Sequence, residues 1–416
     1  MMDSCARAQA LQERVPTRIG LAKLSKMSFD GTDLGPLWYD LLQRVAKDGL
    51  DTAAIMDMSV IAQLLGDQIS GLALQAGALD IQRLYRSPCA SPLPRLRVLA
   101  LAAATDMGGN TPLEFLLEDS EIELTTLYVV PGMPLPQPLP AHDIAMVAAP
   151  VSESVSDTLS EITQLVKTWP KPVLNLPQSI FQLDRDRLHA LLKSAPGISI
   201  PTTARLSRKS LLEIAHNGGL LRDGITDGGF PLIVRPIDGH AGLGLAKLEH
   251  ASDIDAYLSQ RPEADFFISP YVDYSGADGL FRKYRIVFVD GRPHACHMAI
   301  SDQWKIWYYN ADMAQCAARR AEEAQFMANF EGEFAGRHGV ALAETARRID
   351  LEYFGIDCAE TKDGKLLIFE ADNAMIVHNM DPVEVFPYKA PQMRKIFNSF
   401  AAMLHRHAHG EQACAA

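Results

Sequence analysis

The sequence predicts a mixed α/β and α+β protein: an N-terminal helical module, an open α/β sheet, and a larger unit built on antiparallel sheets. Three observations carry this expectation. Apolar residues recur at helical spacing from Pro36 to Tyr85. Strand-like runs then alternate with helical stripes from Leu96 to Leu176. Near the C-terminus, two apolar runs flank an Asp-Gly pair within Ile356 to Asn373, a strong hairpin cue because such a turn needs positive φ.

Composition narrows the function classes. At 416 residues, 48% hydrophobic and 22% charged, the chain has room for two or three ordinary domains, each with a core. A net charge of −12 argues against a general nucleic-acid binder. No run approaches the roughly 18 apolar residues of a membrane span, and MMDSCARAQA lacks the apolar core of a secretion signal. The expectation is a cytoplasmic protein with neither nucleic-acid nor membrane partners. Six cysteines (Cys5, Cys89, Cys296, Cys316, Cys358 and Cys414) form no CxxC pair, which points to reduced thiols rather than a disulfide frame or zinc site. Cys296 and His297 point to opposite faces of a strand, so they and His294 are not read as a metal cluster.

Residues 1–33 lack sustained periodicity and read as a loosely docked arm. The helical module and linker span 34–94. The stripes are Leu37, Leu41, Leu42 and Val45; Ile55, Met58, Ile61, Leu64 and Leu65; and Ile69, Leu72, Ala76, Leu79 and Leu84, with Asp51-Thr52 as a helix start and Pro36 in a first turn. Three prolines between Ser87 and Pro94 close the module. Over 95–203, strands at Leu96 to Ala104, Leu124 to Val130, Asp143 to Ala148 and Pro172 to Leu176 alternate with helices, as in an open sheet of Rossmann type. The Gly108-Gly109 turn after the first strand is not GxGxxG, which favours a structural turn over a dinucleotide site. A helix near Asp184 to Leu192 carries Arg187, a candidate phosphate or nucleobase contact that equally fits an ordinary exposed arginine.

The third unit, 204–405, holds the residues suited to phosphate. FPLIVRPIDGHAGLGLAKLEH reads as a strand, a loop with Gly239, His240, Gly242 and Gly244, and a second strand. Glycines let backbone N–H groups close on an anion, although the same residues suit a plain turn. Arg235 precedes the loop, and its planar fork can hold two oxygens. Downstream, FRKYRIVFVDGR sets Lys283 and Arg285 on one strand face, placed either for phosphate or for solvent. Counting outward from Asp363-Gly364 sets Asp357 opposite Glu370, with Asp372 on the same face. Opposed carboxylates are destabilising unless a cation separates them, and Mg²⁺ is the usual occupant. His297, Ser301, Trp304, Lys305, Trp307, Tyr308 and Tyr309, with His378 beyond, are candidates either for a substrate pocket or for core packing. Residues 406–416 form a tail.

The order of glycine loop (RPIDGHAGLG), strand FFISPYVDY, strand ending in KYR, and final D…E-x-[DN] hairpin resembles the ATP-grasp superfamily over about residues 95–400. It is similar to glutathione synthetases, D-alanine:D-alanine ligases and peptide-glutamate ligases. The resemblance implies a Rossmann-like pre-grasp domain followed by an ATP-grasp domain. It implies that Ser269, Pro270, Tyr271 and Val272 form the adenine hinge, that Arg187 and Arg235 are the nucleotide cations, and that the flap with His240 is a lid. Asp357, Glu370 and Asp372 or Asn373 become ligands for two Mg²⁺ ions, with strand alternation favouring Asp372. Arg285 and Lys283 become catalytic cations.

Pro270 stands where the family's hinge has glutamate, and arginines replace both nucleotide lysines. The activity implied is ATP-dependent joining of a small-molecule or peptide carboxylate to an amine through an acyl phosphate. A kinase using His297 as base, or a silent nucleotide-binding scaffold, are the alternatives. A homo-oligomer is left open.

Overall fold

The computed structural model describes residues 15–217, 229–237, 239 and 242–410. His240 lies outside the described residues. The helical module contains Leu21–Phe29, Gly35–Lys47, Thr52–Leu64 and Gln68–Ile81 around Leu24, Leu41, Ala54, Met58 and Ile61. Asp51 and Asp67 cap the last two helices by accepting from Ala54 N–H and Ser70 N–H.

The stretch expected to be a loose arm holds the docked helix Leu21–Phe29. Its start has no local cap. Asp57 accepts from Ile19 and Gly20 N–H at 2.7 and 3.2 Å, and Glu114 accepts from Ala22 N–H at 3.1 Å. These caps come from distant parts of the chain, so local periodicity could not reveal them.

Strand β1 (Leu84–Arg86) follows where the helical stripe was expected to continue. The first sheet adds β2 (Leu96–Ala103), β3 (Ile122–Val129), β4 (Ile144–Val147) and β5 (Val173–Leu174) in the order β1-β3-β2-β4-β5. Strands β2 to β5 are parallel, as strand–helix alternation requires. Helix Arg185–Leu192 follows, and β6 (Ile198–Ser199) crosses to another sheet.

A small antiparallel sheet contains β7 (Ala204–Ser207), β8 (Leu232–Pro236), β9 (Ala246–Leu248) and β10 (Asp265–Pro270), ordered β7-β10-β8-β9. Helices Arg208–Asn217 and Asp253–Ser259 cover it around a separate core of Leu211, Val234, Ile254, Leu258, Phe266 and Ile268. The last sheet has β11 (Phe281–Val289), β12 (Arg292–Ser301), β13 (Tyr353–Glu360) and β14 (Leu366–Asp372), ordered β12-β11-β13-β14-β6. It shares one continuous core with the first sheet. Helix Lys389–Ala408 runs past the boundary expected at 405, and its Arg406 and His407 bind Asp290. Among the described residues, no helix is long and apolar enough to cross a membrane.

Candidate active site

Register builds the site. His297 pairs with Arg285, Arg285 with Asp357, and Asp357 with Glu370, so one row of polar residues crosses β12, β11, β13 and β14. A β-bulge interrupts the outer pairing on each side of this row, with Cys296 and Phe369 as the extra residues. Bulges re-aim side chains and are common beside active sites.

Cations surround the row. Asp357 accepts from Lys283 Nζ at 2.8 Å, Arg285 Nε at 2.8 Å and Arg285 Nη2 at 3.1 Å. Burial would raise the Asp357 pKa, but Arg285 and then Lys283 hold it well below the usual carboxylate range. Glu370 accepts from Arg185, and Arg235 Nη1 stands 3.8 Å away. Burial opposes ionisation of Glu370 too, yet Arg185, Arg235 and Lys283 outweigh it together with the repulsion from Asp357.

Arg235 has no such balance. Burial, and then the Arg185 charge, push its pKa down to about 9 against the pull of Glu370. A guanidinium keeps its proton at neutral pH, so this displacement registers an unmet demand for negative charge. Its buried Nε has no hydrogen-bond partner among the described residues. Four cations (Arg185, Arg235, Lys283 and Arg285) thus face the paired carboxylates Asp357 and Glu370. The surplus suits a polyanion.

Arg235 is the penultimate residue of β8, just before the glycine loop, and donates to Gly239 O. Gly242 and Gly244 have φ of 73° and 69°. A Cβ on Gly244 would stand 2.5 Å from Pro236 Cδ, so the close turn excludes side chains there. Lys305 binds this loop, donating to Leu245 O at 3.0 Å. At the end of β10, Ser269 and Pro270 pair with β8, and Tyr271 N–H donates to Pro231 O at 3.0 Å. Lys247 Nζ lies 4.0 Å from the Tyr271 ring centre, and Trp304 meets that ring edge-on at 5.8 Å. Val272 packs on the main core.

Three placements bear on the sequence reading. Arg187 is exposed over the Phe181 ring, away from the row, and Arg185 on the same helix reaches Glu370. Asn373 faces the other way from Asp372: its Nδ2 donates to Thr111 Oγ1 and Ala149 O at 3.2 and 3.1 Å, tying β14 to the first sheet. Asp372 pairs with Gly355 and shares the strand face of Glu370. The aromatic stretch also divides, with Trp304 on the Tyr271 ring and Lys305 on the glycine loop.

Tyr308 enters a buried network with Lys389, Glu323, Tyr388 and Asp381, and its ring lies 4.8 Å from His297. Trp307 is 48% exposed. Burial, Arg285 and Lys389 push the His297 pKa far down. Burial outweighs Asp381 at His378, and Lys389 and Arg285 lower its pKa further. Lys389 and Glu323 went unnoticed in the sequence because each looks like an ordinary polar helix residue.

No three His, Cys, Asp or Glu side chains among the described residues converge as a self-sufficient metal site. Asp357 has 2% of its side chain exposed and is saturated by cations, whereas Glu370 keeps 31% exposed. This donor set fits an ion that completes its shell with phosphate oxygens and water, as Mg²⁺ does.

Solved structures similar to this one are ATP-grasp proteins. They include D-alanine–D-alanine ligase from Bacillus anthracis complexed with ATP, at 14% identity, TM-score 0.45, 76% of this chain and 99% of the other. A RimK domain ATP-grasp protein from Sphaerobacter thermophilus has 16% identity and TM-score 0.43 over 74% and 99%. VanG D-Ala:D-Ser ligase from Enterococcus faecalis has 11% identity and TM-score 0.46 over 75% and 99%. No protein-family model matches the chain, and no curated protein matches it in sequence. None of these likenesses assigns a role to a residue here.

Proposed function

We propose that this protein is an ATP-grasp carboxylate–amine ligase that forms an amide or peptide bond through an acyl phosphate, releasing ADP and phosphate. The observation that carries this reading is the surplus of cations about the Asp357–Glu370 row, above all the half-buried Arg235, whose buried Nε lacks a partner among the described residues. The nucleotide lies between the two antiparallel sheets, with its phosphates against Arg235, Arg185 and the glycine-loop amides, and its base by Tyr271 and Val272. Lys283 and Arg285 offset charge on the transferred phosphoryl group, where positioning and electrostatics do most of the catalytic work.

Glu370 and Asp372, with Asp357 behind them, are the residues that would hold Mg²⁺; two ions are expected. A metal held by these carboxylates would supply positive charge to offset that of the nucleotide phosphates.

A carboxylate nucleophile arrives already deprotonated, whereas a hydroxyl needs a base. His297 and His378 are poor bases here because burial and neighbouring cations lower both pKa values. That favours the ligase over a kinase. Closing the flap would keep water from the acyl phosphate.

The test is ADP release from Mg-ATP with pools of amino acids, short peptides and other carboxylates, comparing wild type with Glu370→Gln. Release that needs both a carboxylate and an amine, and that Glu370→Gln abolishes, is expected. Turnover with a hydroxyl compound alone would replace the ligase with a kinase, and absence of nucleotide binding would end the reading.

A further inference from the structure

Three side chains of the helical module hold the turn that follows β2. Gln63 Oε1 accepts from Met107 N–H at 2.9 Å, Gln75 Nε2 donates to Thr105 O at 2.9 Å, and Gln68 Nε2 donates to Asp106 Oδ2 at 3.4 Å. Gln63 and Gln75 are each 8% exposed, so both bonds are partly shielded from water. Shielding matters because a lost buried partner leaves a backbone group unsatisfied.

The turn so held reaches the candidate active site. A Cβ on Gly108 would lie 3.6 Å from Ile376 Cδ1, and Ile376 O accepts from Arg285 Nη1 at 3.2 Å. A second path starts at Phe29, the last residue of the first described helix. Its ring centre lies 6.3 Å from that of His378, while Phe115 approaches the same imidazole at 6.4 Å. His378 accepts from Met380 N–H at 3.2 Å, which fixes the segment after β14. The module therefore meets the segment 376–380 both through the turn and directly.

We propose that the helical module is a wall of the acceptor side of the cleft and sets which acceptor fits. It holds the 105–110 turn against Ile376 and Phe29 against His378. The word acceptor rests on the ligase reading; the wall rests on these contacts alone. Gln63 and Gln75 are positioning residues, and Arg235 and the glycine loop, which carry most of the nucleotide side, lie off this path.

Hydrogen exchange on the full-length protein tests this, with Mg-AMP-PNP titration on the same samples. Gln63→Leu should speed exchange about tenfold in peptides covering both 104–112 and 374–380, the equivalent of one buried hydrogen bond. Gln63→Glu retains an oxygen for Met107 N–H and should restore protection in both. Mg-AMP-PNP affinity should stay within about twofold, since the nucleotide side shares no partner with Gln63. For the carboxylate and amine found by the pool assay, Phe29→Ala should raise the acceptor KM and leave that for ATP unchanged.

Loss of protection confined to 104–112 would overturn the proposal. Loss spread evenly through the chain, in both Gln63→Leu and a second variant Gln75→Met, would overturn it too. Wild-type protein that fails to bind Mg-AMP-PNP removes the ligase reading instead, and the exchange pattern still decides the wall.

Discussion

Replacing Asp357 by asparagine removes one charge from a side chain that is 2% exposed and binds two cations. The amide keeps a single oxygen for three donors and turns an N–H₂ towards positive charge. Losing one partner of a buried ion pair costs about 3–5 kcal/mol. Lys283 and Arg285 keep 18% and 19% of their side chains exposed and so retain some hydration, which argues for the low end, about 3 kcal/mol. That corresponds to a melting temperature about 3–4 °C below wild type in a chain of this size.

The sign of the pH dependence is fixed as well. The folded Asp357 pKa lies well below the unfolded value near 3.9, so its contribution is complete above that value and lost as pH falls. Thermal and urea unfolding of nucleotide-free protein should show a wild-type advantage over Asp357→Asn that is flat between about pH 6 and 8 and shrinks below about pH 4. An advantage below about 1 kcal/mol at neutral pH, or one unchanged in acid, would refute the ion-pair account.

Arg185→Ala should weaken Mg-AMP-PNP binding about tenfold or more by removing a charge-assisted contact, while Arg187→Ala stays within about twofold; isothermal titration separates them, and equal losses would put the nucleotide elsewhere. At the C-terminal helix, the hydrogen bond to Asp290 raises the His407 pKa, so the protonated pair stabilises fully below about pH 6.5 and its contribution fades as pH rises through the folded value. His407→Gln should flatten the pH dependence of the urea-unfolding free energy between pH 6 and 8.5 by less than about 1 kcal/mol; parallel curves for the two proteins would remove His407 from the pH response.

The central pairing was legible for an instructive reason. Counting from a two-residue turn at Asp363-Gly364 places Asp357 opposite Glu370, and they are paired. The hairpin closes differently: Thr361 N–H donates to Lys365 O, Gly364 takes φ of 80°, and Glu360 meets Leu366. This shifts the register by one residue, and the bulge at Phe369 shifts it back. Arg185 was not legible because a short polar helix gives little sign of which side it turns inward. The Leu21–Phe29 helix was hidden by its tertiary caps. The aromatic run from Trp304 to Tyr308 lacked a strand or helix period that could separate its two destinations.

The ties at the two ends of the last hairpin have a mechanical consequence. Asn373 grips Thr111 and Ala149, while Asn175 exchanges hydrogen bonds with the backbone of Tyr353. These rivets fuse the first and last sheets into a chassis, and the four-stranded sheet with its separate core is the jaw. Arg235 belongs to the jaw; Arg185, Lys283, Arg285 and both paired carboxylates belong to the chassis. The 3.8 Å gap between Arg235 and Glu370 therefore spans the two parts, and a pair of spectroscopic labels on exposed positions of each would read any change in their separation.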